Sequence, residues 1–182
     1  MKVKINPPRS LRTARLLLRA PVIEDAAVLF AQYTSKPHIP KYMSWVAHTH
    51  VDQTIAFVKH CIAGWADGSN FEYVIELEGN VQNPIGMIGM HPKAHGVTLG
   101  YVIAEEFWNQ GITSEALKAL VDWSLAQSGV YRAQAFCDVE NPASAKVMEK
   151  AGMTYEGTLH RYFVHPNLSD EPRDSLMYAK VR

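Results

Sequence analysis

The chain has 182 residues, 47% hydrophobic and 20% charged, with 18 basic and 18 acidic side chains and a formal charge of zero. That balance excludes a general nucleic-acid or membrane-surface binder, which needs a basic excess. No apolar run approaches the ~20 residues that span a bilayer, and no Cys/His cluster has metal-ligand spacing, so neither membrane nor metal is expected. The first residues lack the apolar core of a signal peptide, and Cys61 and Cys137 sit in apolar segments, which reads as free thiols in the cytoplasm.

In chain order, Leu16-Leu17-Leu18 between arginines predicts a first strand over Arg12–Arg19, and Pro21 leads into a helix over Glu24–Tyr33. Ser35–His50 is too rich in Pro, His and aromatic residues for a long helix. It reads either as a loop packed on the core or as one wall of a substrate groove. Ile55, Val58, Ile62 and Trp65 mark a helix over Val51–Ala66. Strands follow at Phe71–Leu77 and Ile85–Met90, and a third at Gly100–Ala104.

That third strand enters the turn Asn109-Gln110-Gly111, where Gly111 is free to take φ > 0. Thr113 or Ser114 is the expected helix cap, Glu115 suits the first turn, and Ala116, Leu117, Leu120 and Val121 form an apolar stripe that Gly129 closes. A strand, a glycine turn and a helix leave several N–H groups aimed at one spot, an anion site suited to phosphate. Tyr131–Asp138 alternates as a strand. Asn141-Pro142 is a strong helix start, with Gly152 as its stop, and two closing strands fit Tyr155–Tyr178. With no linker or repeat, residues 1–182 read as one domain.

The segment Phe107-Trp108-Asn109-Gln110-Gly111-Ile112-Thr113-Ser114-Glu115-Ala116 resembles the acyl-CoA pyrophosphate loop of GNAT N-acetyltransferases. In particular it resembles the RimJ/RimL-like branch of ribosomal-protein N-terminal acetyltransferases. The family pattern is Gln/Arg-x-x-Gly-x-Gly/Ala; here Trp108 takes its first position and Thr113 its last. Ile85-Gly86-Met87-Ile88-Gly89 resembles a strand motif of the same family. Asn141-Pro142-Ala143-Ser144, with Glu149-Lys150-Ala151-Gly152-Met153, resembles its second signature, Met153 replacing Phe. The resemblance covers Arg12 to Tyr178. It implies a mixed α/β (α+β) GNAT acyl-CoA N-acyltransferase fold, with a central sheet of about seven strands flanked by about four helices.

The resemblance further implies acetyl-CoA as cosubstrate and a primary amine that attacks it directly in a ternary complex. Backbone groups of Asn109, Gln110, Gly111, Ile112, Thr113 and Ser114 would hold the pyrophosphate. Val102 and Ile103, at a strand bulge, would hold the pantetheine arm and the oxyanion, and Asn141 would orient the arm. The family's tyrosine proton donor is replaced here by Met148, which leaves Ser144, one turn earlier, as the substitute. Thr98 stands where the branch often has a glutamate, so Glu72 and His91 are the substitute bases by strand position. A weak base suits an α-amine of pKa ~7.7–8 better than a lysine near ~10.4. The acceptor implied is a peptide N-terminus; the alternatives are a small amine (polyamine, amino acid or antibiotic) or no catalysis at all, only acyl-CoA binding. A polyamine site would want clustered carboxylates, and Glu105-Glu106 is the pair that stands nearest the turn. Monomer and homodimer both fit the sequence.

Overall fold

A threonine divides the first predicted strand in two. Thr13 Oγ1 accepts the Leu16 N–H at 3.0 Å and the Thr13 N–H donates to the Leu16 carbonyl at 2.9 Å, so the chain reverses between β1 (Ser10–Arg12) and β2 (Leu16–Arg19). The computed structural model, which describes residues 2–182, therefore holds one mixed sheet of eight strands where the sequence suggested about seven. The remaining strands are β3 (Phe71–Leu77), β4 (Gly86–Pro92), β5 (Gly96–Ile103), β6 (Arg132–Asp138), β7 (Thr154–Phe163) and β8 (Arg173–Val181). The helices are α1 (Asp25–Leu29), α2 (Val51–Asp67), α3 (Ile112–Leu125) and α4 (Pro142–Lys150). The predicted helix over Glu24–Tyr33 is α1 running on into a π-helical turn, Phe30–Thr34. α3 stops at Leu125, before Gly129, which at φ 79° turns the chain toward β6.

The strand order is β1-β2-β3-β4-β5-β6-β8-β7, antiparallel throughout except for β5 and β6. Alternation along each strand divides the side chains between two faces. Leu16, Leu18, Tyr73, Ile75, Ile88, Met90 and Leu99 pack with Ile112, Leu117, Leu120, Val121 and Met148 of α3 and α4. Val74 and Met87 pack with Ala26, Leu29, Tyr33, Val58 and Cys61 on the α1–α2 side. Both cysteines are buried free thiols. Arg19 of β2 spans two buried carboxylates, Asp25 at 2.7 Å and Glu76 at 2.6 Å, and so ties the start of α1 to β3.

One departure from a closed sheet sets up the site. β5 and β6 pair only at Gly96↔Arg132, Val97↔Ala133 and Thr98↔Gln134. Beyond Thr98 the two strands part, while β5 remains paired with β4 and β6 with β8 along their full lengths. The sheet is split along the second half of its one parallel pair.

Candidate active site

The loop from β5 to α3 borders this split. Gly111 sits at φ 74° and Asn109 at φ 61°, the left-handed region that Gly and Asn tolerate. The helix cap is Gly111 itself, so Thr113 and Ser114 lie inside α3 and do not cap it. The first intrahelical bond is Glu115 N–H to Gly111 O at 3.1 Å, which leaves the N–H groups of Ile112, Thr113 and Ser114 ahead of it without helical partners. Together with the loop before them they form a positive helix terminus fit for a pyrophosphate.

The loop is anchored from the β1–β2 turn. Glu115 accepts from Thr13 Oγ1 at 2.6 Å, the Arg15 N–H at 3.0 Å and Arg15 Nε at 2.6 Å. Arg15 Nη1 then donates to the Gln110 carbonyl at 3.1 Å. Burial works against the Glu115 carboxylate, but the bonds from Thr13 and Arg15 hold its pKa below the usual range. Sequence reading overlooked Arg15; a charged residue in a tight turn gives no local sign that it reaches a loop far along the chain.

The β4–β5 ladder runs from Gly86↔Ile103 to Pro92↔Val97 without a register shift, so β5 carries no bulge. The free backbone arises from the split instead. The Gly96 carbonyl and the Ala104 N–H both bond the β4 side, which by alternation aims the even-numbered backbone groups of β5 at β4 and the odd-numbered ones at the opening. The Ile103 N–H therefore faces the opening, whereas the Val102 N–H belongs to the β4 ladder, a correction to the reading that both were available. The Ile103 carbonyl is occupied by the Trp108 indole N–H at 3.0 Å, which fastens the loop to the strand.

On the α4 side of the opening, Tyr101 Oη and Ser144 Oγ are 2.8 Å apart. Burial raises the Tyr101 pKa against the opposing Ser144 bond, so the phenol stays protonated. Burial also pushes the neighbouring Cys137 thiol up to about 11. Asn141 caps α4, accepting the Ser144 N–H on Oδ1 at 3.2 Å. Met148, at the family's tyrosine position, is fully buried in the core. Tyr101 was missed in the sequence, where it passes for an ordinary strand residue; its only sign is that it alternates with Val102 and so faces the other side.

On the α1–α2 face, the cross-strand rows Glu72↔Gly89↔Gly100 and Val74↔Met87↔Val102 lie side by side. A methyl group on Gly89 would collide with the Glu72 carboxylate, so the glycine makes room for the carboxylate to lie across β4 toward β5. Gly100 is exposed, and the space above it is open. The Glu72 side chain is 15% exposed, and burial pushes its pKa up to about 7. Its neighbour His91, 3.2 Å away and 41% exposed, is lowered by burial and by Lys93 and Lys2. The Glu105-Glu106 pair is engaged elsewhere: Lys36 Nζ contacts both carboxylates, at 3.2 and 3.1 Å, and His38 bonds Glu105.

Over residues 15–154 the chain matches the family described as an acetyltransferase (GNAT) domain. It is 27% identical over 175 residues to the uncharacterized N-acetyltransferase YoaA of Bacillus subtilis (strain 168), covering 94% of this chain and 96% of that protein. It is 32% identical over 110 residues to the ribosomal-protein-serine acetyltransferase of Escherichia coli (strain K12), covering 60% of this chain and 59% of that one. Its fold is similar to the crystal structure of the microcin C7 self immunity acetyltransferase MccE in complex with acetyl-CoA and AMP, at a TM-score of 0.84 over 97% of this chain and 98% of that one. At 20% identity that likeness is one of fold alone. The chain therefore belongs to the GNAT acetyltransferase family and is an N-acetyltransferase.

Proposed function

We propose that the acceptor is the α-amine of a protein N-terminus, with Glu72 as its base. The observation that carries this reading is the Glu72 carboxyl, held at about 7 by burial on the face of β5 left open at Gly100. A base of that strength matches an α-amine of pKa ~7.7–8 and is far too weak for a lysine near ~10.4. The name of the Escherichia coli relative points the same way. The occupation of Glu105 and Glu106 by Lys36 argues against a polyamine site built on that pair.

Bound acetyl-CoA supplies the thioester carbonyl that the amine attacks. The backbone from Asn109 to Ser114 binds the pyrophosphate. Glu72 takes the proton from the amine, and His91, at its side and exposed, passes that proton to water. The Ile103 N–H donates to the carbonyl oxygen as charge gathers on it. Ser144, held at 2.8 Å from Tyr101 Oη, gives its hydroxyl proton to the departing sulfur and regains one from water at the opening. Asn141 holds the start of α4, and with it Ser144, in place. Val102 contributes its side chain on the acceptor face rather than a backbone bond.

The test is CoA release, read with a thiol reagent, from acetyl-CoA with two peptides: one with a free N-terminus and no lysine, the other N-terminally blocked with one internal lysine. Turnover of the first alone is expected. A clear preference for the lysine peptide would overturn the assignment.

A further inference from the structure

A pocket of about 200 Å³ opens on the α1–α2 side, with Val102 of β5 in its lining. Three aromatic side chains, Tyr33, Trp45 and Phe57, line it together with Thr34, Ser44 and His48. No charged side chain lines it. Two of its polar side chains are engaged with Thr54: Thr34 Oγ1 meets Thr54 Oγ1 at 2.8 Å and His48 Nδ1 meets the same hydroxyl at 2.7 Å, while the His48 backbone N–H donates to the Thr34 carbonyl at 2.8 Å. Burial lowers the His48 pKa, so the imidazole is neutral at neutral pH. The wall is held from outside. Asn167 Nδ2 donates to the Pro40 and Trp45 carbonyls at 2.7 and 2.8 Å, pinning the segment that carries Trp45 to the β7–β8 connection.

The position of this pocket matters as much as its lining. Val102 stands two residues from Gly100 on the same face, and the Tyr33 hydroxyl lies in the field of the Glu72 carboxylate. A side chain seated in the pocket leaves the amine of its own residue over Gly100, beside Glu72. An apolar cavity of ~150 Å³ is enough to hold benzene, so this one has room for a leucine, methionine or phenylalanine side chain. A charged side chain would lose its hydration there and find no partner.

We propose that this pocket receives the side chain of the acceptor's first residue and selects uncharged apolar residues over acidic and basic ones. The proposal rests on the N-terminal reading above and adds to it which termini are taken.

The experiment uses peptides identical except for the first residue, Leu, Met, Phe, Ser, Asp or Lys, with kcat/KM from CoA release and the acetylated amine located by mass spectrometry. The expected result is a kcat/KM at least about 10-fold higher for Leu, Met and Phe than for Asp and Lys, as a pocket of this kind discriminates. Ser44→Trp, which fills the pocket, should remove that advantage while the thermal shift with acetyl-CoA stays as in the parent. Turnover with a flat profile, or a Leu and Phe preference untouched by Ser44→Trp, overturns the pocket assignment and leaves N-terminal acetylation standing. Turnover of small amines but of no peptide overturns the N-terminal reading. Phenethylamine against spermidine then decides for the pocket: preference for phenethylamine supports it, preference for spermidine overturns it.

Discussion

Glu115 in the first turn of α3 and Arg15 in the β1–β2 turn, 100 residues apart in sequence, are joined by two bonds, Nε to carboxylate at 2.6 Å and backbone N–H to carboxylate at 3.0 Å. The same guanidinium holds the Gln110 carbonyl, so a sheet edge fixes the conformation of the β5–α3 loop. Arg15→Ala should weaken acetyl-CoA binding about 10-fold, the loss of roughly 1.4 kcal/mol of preorganisation. kcat at saturation should change little. Arg15→Lys cannot hold both Glu115 and Gln110 with one planar fork and should fail to restore binding. Calorimetric titration with CoA checks both variants.

Glu72 ties activity and stability to the same titration. Its carboxylate form accumulates as pH passes about 7, so kcat/KM should rise with an apparent pKa near that value. Glu72→Gln should lose the rising limb and about 10²–10⁴-fold in rate.

The stability effect has the opposite sense. The folded pKa lies above the ordinary 4.5, so the unfolded chain gives up this proton first and the native protein loses stability as pH rises from 4.5 to about 7, then levels off. Glu72→Gln escapes that loss. Its advantage in urea denaturation should grow across the same window toward an upper bound of about 3 kcal/mol.

Tyr101 and Ser144 meet at 2.8 Å beside the opening. If Ser144, held by Tyr101, delivers the proton, Ser144→Ala and Tyr101→Phe should each lower kcat by about 10²-fold. The double variant should be little worse than either single one, because residues acting as a unit are not additive. Peptide KM should move far less than kcat.

Arg19 holds Asp25 and Glu76 at 2.7 and 2.6 Å, and the Glu76 side chain is 0% exposed. Arg19→Met would leave both carboxylates without their cation, which typically costs about 3–5 kcal/mol. Chemical denaturation should show that loss at neutral pH. Adding Asp25→Asn and Glu76→Gln to Arg19→Met should recover part of it.

The features legible in the sequence are those with a local cause. The φ > 0 turn at Gly111 follows from the missing Cβ, the start of α4 from Asn141 and Pro142, and its end from Gly152 at φ 82°. The apolar periodicity of α2, α3 and the strands marked the elements and the core face, and the order of motifs marked the family. Even local chemistry was read incompletely at Thr13, whose hydroxyl turns one strand into two, and at Thr113 and Ser114, because the cap is the glycine before them.

Only the tertiary structure decided which of these residues work together. The parting of β5 from β6 beyond Thr98 depends on pairings made on their other edges, and it is this parting that frees the Ile103 N–H and leaves Val102 bonded to β4. Tyr101 reaches Ser144 across 43 residues, and Glu72 lies over Gly89 only because the β3–β4 register puts them opposite each other. Backbone torsion and capping are settled within a few residues, so the sequence shows them directly. The strength of a base, the partner of a hydroxyl and the direction of a free N–H depend on groups brought from far along the chain, and burial between packed layers sets their values.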